Sequence, residues 1–159
     1  MKKVILSTII LFLLSSTSWG ENVTISDLTR KNKHWYKKSS NIPYTGNVLG
    51  KENGYFLNGK RNGLWVFYSK SKRLQSKGYY EGVLRHGVWE FYYENGKFKS
   101  MSKFKLEKLN GVWEFFHENG QLEKRGTFRD NLPEGIWKIF DKNGTLVGSE
   151  KYENGKLVD

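Results

Sequence analysis

The side chains best placed to do chemistry are three histidines, His34, His86 and His117, in a chain with no cysteine. A metal site needs His, Cys or carboxylate groups clustered at ligand spacing, and three scattered imidazoles do not supply one. A nucleophilic triad needs a base beside its nucleophile, and no such arrangement is suggested. Gly59-Lys60, Gly96-Lys97 and Gly155-Lys156 lack the spacing of a phosphate-binding loop. Glu94-Asn95-Gly96 and its counterparts have turn chemistry, not that of a calcium loop. The expectation is a chain that is not an enzyme and that carries no metal and no cofactor.

The histidines themselves lead to the elements around them. His117 fills the slot that Ser69, Tyr93 and Asp141 fill elsewhere, and His86 precedes a glycine as Asn62, Asn110 and Glu134 do. Both are expected to be exposed turn residues. The slots belong to a repeat of 24 residues marked by Trp65, Trp89, Trp113 and Trp137, each with a glycine two positions earlier: Gly63, Gly87, Gly111 and Gly135. An aromatic stands nine residues before each tryptophan, at Phe56, Tyr80, Phe104 and Phe128, and returns at Tyr152. Another stands three residues after, at Tyr68, Tyr92, Phe116 and Phe140.

Asn95-Gly96, Asn119-Gly120 and Asn143-Gly144 share one slot between apolar runs, which predicts a β-hairpin in each unit, both turn residues accepting positive φ. One strand is expected near 87–93, the next near 97–104, and a second turn over 107–110. Ser69 to Arg73 has no glycine in the turn slot and is expected to form a looser bend. Only Ile25 to Lys31 is left as a short helical candidate. Because residues i and i+2 of a strand share a face, each Trp−2 glycine is expected to leave a slot for a large ring. Trp89, Phe91 and Tyr93 then line one face, and Val88, Glu90 and Tyr92 the other. The fold class expected is all-β, with tandem antiparallel hairpins forming an elongated, single-layer twisted sheet.

The first 20 residues differ in kind. Lys2 and Lys3 precede an apolar run from Val4 to Leu14, and Ser18 and Gly20 flank Trp19 as small residues suited to signal peptidase. A signal peptide cleaved after Gly20 is expected, and with it a secreted or periplasmic location in a bacterial envelope. The run is about half the roughly 20 residues that a spanning helix needs. The domains expected are a signal peptide at 1–20, a cap and partial repeat at 21–53, four repeats at 54–149 and a partial repeat at 150–159. The formal net charge of +11 favours anionic partners without choosing among them. Lysines interleaved with aromatics in Lys77-Gly78-Tyr79-Tyr80 and Lys103-Phe104-Lys105 make Lys77, Tyr79, Lys103 and Lys105 the candidate binding surface.

The stretch Tyr55-Phe56-Leu57-Asn58-Gly59-Lys60-Arg61-Asn62-Gly63-Leu64-Trp65 resembles a MORN repeat. Trp89-Glu90-Phe91-Tyr92-Tyr93-Glu94-Asn95-Gly96-Lys97 is similar to the bacterial variant found in YwqK-type antitoxin proteins. The segment from Asp27-Leu28 to Ile42-Pro43-Tyr44-Thr45-Gly46 resembles the lead-in to such arrays. The resemblance implies a sheet of successive hairpins with a shallow concave groove, used as an interaction surface. Its implied roles are membrane or phosphoinositide association, dimerisation and scaffolding in eukaryotic relatives, and toxin neutralisation in bacterial ones. A leader fits an envelope immunity or binding role better than neutralisation of a cytoplasmic toxin. The expected partner is therefore a protein, with anionic lipid or an envelope glycopolymer as the alternative. Secretion argues against nucleic acid, and exposed sheet edges offer a route to homo-oligomers.

Overall fold

The computed structural model describes residues 22–158, so the signal peptide expected at 1–20 lies outside the described residues. One 3-10 turn, Ile25–Asp27, leads into a small hairpin of β1 (Leu28–Lys31) and β2 (His34–Lys37). The short helix expected over 25–31 is thus that single turn, and Leu28 onward is strand because it pairs with Lys37. There follow β3 (Gly46–Val48), β4 (Glu52–Leu57), β5 (Lys60–Tyr68), β6 (Leu74–Glu81), β7 (Leu84–Tyr92) and β8 (Phe98–Lys105). Then come β9 (Lys108–Phe116), β10 (Leu122–Arg129), β11 (Leu132–Phe140), β12 (Leu146–Glu153) and β13 (Lys156–Leu157). From β3 to β13 each strand pairs antiparallel with the next, giving the single 11-stranded meander that the 24-residue period predicts.

Alternation puts the tryptophans and the aromatics nine residues before them on one face, where they form the core. Phe56 meets Trp65 edge-on at 4.8 Å, Tyr80 meets Trp89 at 5.1 Å, and Phe128 meets Trp137 at 5.0 Å. Each of these tryptophans also abuts an aromatic of the following unit, as Trp65 does Tyr80 and Trp137 does Tyr152. These edge-to-face contacts suit the ring quadrupoles and link neighbouring units into a ladder, broken once between Phe104 and Trp113. Its N-terminal end is closed by the cap: Trp35 and Tyr44 pack on Phe56, and Val48, Phe56 and Trp65 are fully buried. Arg61 lies over Trp65 at 4.5 Å and pairs with Glu52 in the same cluster.

The glycines do two jobs, and the expected one falls to a different set. Gly63, Gly87, Gly111 and Gly135 have φ of +73°, +69°, +115° and +74°, and at 63, 87 and 135 an added Cβ would touch nothing within 4 Å. They sit in bulges: between the pairs Gly78↔Trp89 and Tyr79↔His86, β7 has Gly87 and Val88 where β6 has no residue. The bulge interrupts strict alternation, so the i, i+2 argument does not apply there. The ring slots are eleven residues before each tryptophan. A Cβ on Gly54, Gly78 or Gly126 would lie 2.4, 2.3 or 2.0 Å from Cδ2 of Trp65, Trp89 or Trp137.

Turn chemistry also departs from expectation. In Asn95-Gly96, Asn119-Gly120 and Asn143-Gly144 only the glycine has positive φ, as in a four-residue turn closed by Tyr93 N–H to Lys97 O (2.8 Å) and Gly96 N–H to Tyr93 O (2.9 Å). The bend at Ser69 to Arg73 is not looser. It makes the same two bonds, Ser69 N–H to Arg73 O and Lys72 N–H to Ser69 O, with Lys72 at φ +60° in place of the glycine. The two-residue turns lie at the other end of the strands, where the turn expected over 107–110 is Leu106-Glu107, with φ +49° and +70°. Non-glycine residues hold this conformation because each such turn is tied to its neighbour. Glu107 N–H donates to Arg85 O (2.9 Å), and its carboxylate accepts from Arg85 N–H (2.7 Å). Asn131 makes the same pair of bonds with Leu109.

Candidate binding surfaces

The four residues nominated from sequence lie on the face opposite the tryptophan ladder or at its margin, and they differ in availability. Lys77 is engaged: its ammonium is 2.9 Å from Glu90, whose carboxylate also accepts the Tyr92 hydroxyl. Its bond to Glu90 holds Lys77 above the usual lysine range. Burial works to raise the Glu90 carboxyl, but the bonds from Tyr92 and Lys77 outweigh it and the net shift is downward. Tyr79 is exposed, and its carbonyl accepts the indole N–H of Trp89 at 3.1 Å. Lys103 lays its stem over the backbone of Gly111, and it and Lys105 form no ion pair among the described residues.

Around Tyr79 and Lys103 runs a feature missed from sequence. The residue just before each tryptophan is aliphatic and exposed: Leu64 47%, Val88 43%, Val112 37% and Ile136 64%. Leu64 pairs with Tyr79 and Val88 with Lys103, so the nominated residues flank this row. Its members stand on alternate strands, about 10 Å apart at the usual spacing of paired strands. The signal was present as an apolar residue in the Trp−1 slot of every unit. At one end of the sheet, Lys51, Lys70 and Lys72 surround an open depression of about 670 Å³ with Tyr68 and Ser69, and no carboxylate among the described residues lines it.

The ladder face has one interruption. The slot glycine of the third unit is replaced by Ser102, which pairs with both Trp89 and Trp113. A side chain there leaves no seat for the indole, and Trp113 swings toward the next unit. It stacks on Phe115 at 5.6 Å and 9° and leans on Trp137 at 5.5 Å. Among the described residues it makes no ring contact with Phe104, which instead meets Trp89 at 6.4 Å. Trp113 is half-buried where the other three repeat tryptophans are buried. The vacated space is a cleft of about 420 Å³ lined by Phe91, Tyr93, Ser100, Ser102 and Trp113, with Gln75, Glu94 and Lys99 at its rim.

The histidines are placed apart. His117 is not an exposed turn residue: its side chain is 15% exposed, one ring nitrogen lies 3.0 Å from Phe140 O, and the other lies 3.1 Å from Glu123. It fastens its turn to the next, as the Tyr93 hydroxyl does by donating to Phe116 O at 2.6 Å. His86 is half exposed beside Glu81, and His34 contacts the carbonyl of Asn32 in the cap. Among the described residues no three His, Asp or Glu side chains are grouped as metal ligands would be.

No curated protein sequence matches the chain. Among solved structures it is similar to a mutant of Staphylococcus aureus TarM in complex with fondaparinux, α-GlcNAc-glycerol and UDP, at 14% identity and TM-score 0.41, over 60% of this chain and 19% of that one. It is also similar to a chain of the accessory secretory protein 1, 2 and 3 structure from Streptococcus pneumoniae, at 14% identity and TM-score 0.38, over 75% and 21%. A further TarM structure is similar at 15% identity and TM-score 0.34, over 83% and 21%. The chain spans about a fifth of the length of each. The MORN repeat variant matches residues 85–105, 109–130 and 133–154, which correspond to the hairpins β7–β8, β9–β10 and β11–β12. Residues 85–154 thus carry the MORN repeat variant, three units in succession.

Proposed function

We propose that the chain is a non-catalytic binding scaffold of the cell envelope, which docks a protein partner on the face opposite the tryptophan ladder. The observation that carries this reading is the row Leu64, Val88, Val112 and Ile136, an aliphatic side chain left in water in four successive units. Single exposed aliphatic residues are ordinary, but four held in register along one face, with the exposed Tyr79 beside the first, make a strip suited to a partner. Lys103 and Lys105 beside the row favour a partner whose apolar strip is edged with carboxylates. An antitoxin- or immunity-like role is the form of scaffold closest to the bacterial repeats that this sequence resembles. The envelope location rests on the leader expected at 1–20.

The test is affinity purification of the full chain from its native envelope, in parallel with Val88→Asp and Ile136→Asp. A stoichiometric protein that is recovered with the natural chain and lost with both variants, at unchanged circular dichroism, is the expected result. Recovery of no stoichiometric protein would sink the scaffold. A second reading, attachment to anionic lipid or glycopolymer, is favoured by the Lys51, Lys70 and Lys72 depression. It requires flotation with anionic vesicles, or pull-down on the polymer, that weakens as salt screens the charges.

A further inference from the structure

We propose that the cleft beside Trp113 is a saccharide-binding site that seats one neutral pyranose ring of an oligosaccharide where the repeat would otherwise seat an indole. The site lies on the ladder face, so it stands or falls independently of the docking row. Its volume of about 420 Å³ falls within the range of about 300–1,000 Å³ usual for small-molecule sites. Its shape follows from the repeat: Gly54, Gly78 and Gly126 each lie against a tryptophan ring, and Ser102 denies Trp113 that place. What remains is an open cleft with room for a ring, bordered by Phe91, Tyr93 and Trp113.

Two side chains decide what kind of ring belongs there. Ser100 and Ser102 are only 8% and 4% exposed, line the cleft, and make no side-chain hydrogen bond among the described residues. Neither hydroxyl is sealed from water, and a guest that fills the cleft displaces that water, so the cleft favours a ligand that brings donors and acceptors inward to replace the lost bonds. A purely aromatic guest would satisfy neither serine. A pyranose offers both requirements at once: equatorial hydroxyls for Ser100 and Ser102, and a C–H face with slight positive potential for the negative face of an aromatic ring. Gln75, Glu94 and Lys99 at the rim add amide, carboxylate and ammonium groups for the outward hydroxyls.

Maltotriose and triacetylchitotriose are the probes, offered to the full chain in saturation-transfer NMR with tryptophan fluorescence as the second readout, and N-acetyl-tyrosinamide is the competing guest. Transfer to the ring protons of at least one sugar is expected. Ser102→Gly restores the slot, lets Trp113 lie down over residue 102 and closes the cleft, so it should abolish transfer while the protein stays folded. Ser102→Ala keeps the cleft open and removes one hydroxyl, so it should weaken binding about five- to tenfold. The proposal is overturned if neither sugar shows transfer, if transfer persists in Ser102→Gly, or if only the tyrosinamide binds.

Discussion

Replacing Gly78 by alanine would place a methyl carbon 2.3 Å from Cδ2 of Trp89, an indole held at 3% exposure among four other aromatic rings. A rigid ring wedged between strands cannot give by more than an ångström, so it must leave its seat. Losing a buried tryptophan is worth about 3–5 kcal/mol. Gly87→Ala meets no atom within 4 Å and suffers only its φ of +69°, which costs about 1–2 kcal/mol. Chemical denaturation of the two variants should therefore differ by about 1–4 kcal/mol, and equal losses would contradict the division of labour between the two glycine sets. Those sets explain what could and could not be read from the sequence at this scale. The positions of Gly63, Gly87, Gly111 and Gly135 follow from the period, but their job does not, because a bulge suspends the two-residue alternation on which the slot argument depends. The column Gly54, Gly78, Ser102, Gly126 was equally periodic. Its meaning appears only when each residue is set against the tryptophan across the strand pair.

At the scale of the hairpin, the turns show how neighbouring units relieve local strain. Leu106 has φ +49° and is 53% exposed, so it gives up backbone comfort and gains little burial. Asparagine adopts this conformation more readily, and Leu106→Asn should raise stability by about 1 kcal/mol, seen as a higher melting temperature. Glu107 should not be changed with it, since its bonds to Arg85 tie the turn to the one before. Such ties join residues 22 or 23 apart, which is why neither the Leu106-Glu107 turn nor the inter-unit role of His117 was legible from local sequence. The ion-pair clusters add a pH dependence. Glu90 and Glu150 are held below the usual carboxyl value, Glu90 by bonds that outweigh burial and Glu150 chiefly by its bond from Lys124, and Asp27 is lowered by bonds from Thr24. The contribution of the two glutamates is complete above the unfolded carboxyl value of 4.5 and is lost as pH falls through the lower folded values. Tyr92, raised by burial and Glu90, and Lys77, raised by Glu90, act in the opposite sense: their contribution is complete below 10.0 and 10.5 and is lost as pH rises. Melting temperatures should form a plateau that falls at both ends, and Glu90→Gln with Glu150→Gln should shallow the acid side.

Taken whole, the molecule is a one-dimensional array in which each hairpin touches only its neighbours, so stability is close to a sum over units and interfaces. The sum is uneven. Val48, Phe56 and Trp65 are fully buried beneath the cap, whereas Leu146, Val147 and Leu157 toward the far end are more than half exposed. The period made the meander legible in advance, but not this gradient, because the cap acts through Trp35 and Tyr44, which lie outside the repeat. Hydrogen exchange followed by mass spectrometry should show β4 to β7 as the slowest block and β9 to β12 as a faster one, with Ser102→Gly bringing the two together. A single uniform block in the natural chain would speak against the break at Phe104 and Trp113. The gradient also sets how the array would respond to load. Strands that run across the long axis of a meander peel away singly, each losing its row of hydrogen bonds before the next begins to move. The run yields first where side chains add least to the backbone pairing. Stretched from its two ends, the chain would release its exposed C-terminal hairpins first, as slack, while the capped aromatic block stays folded.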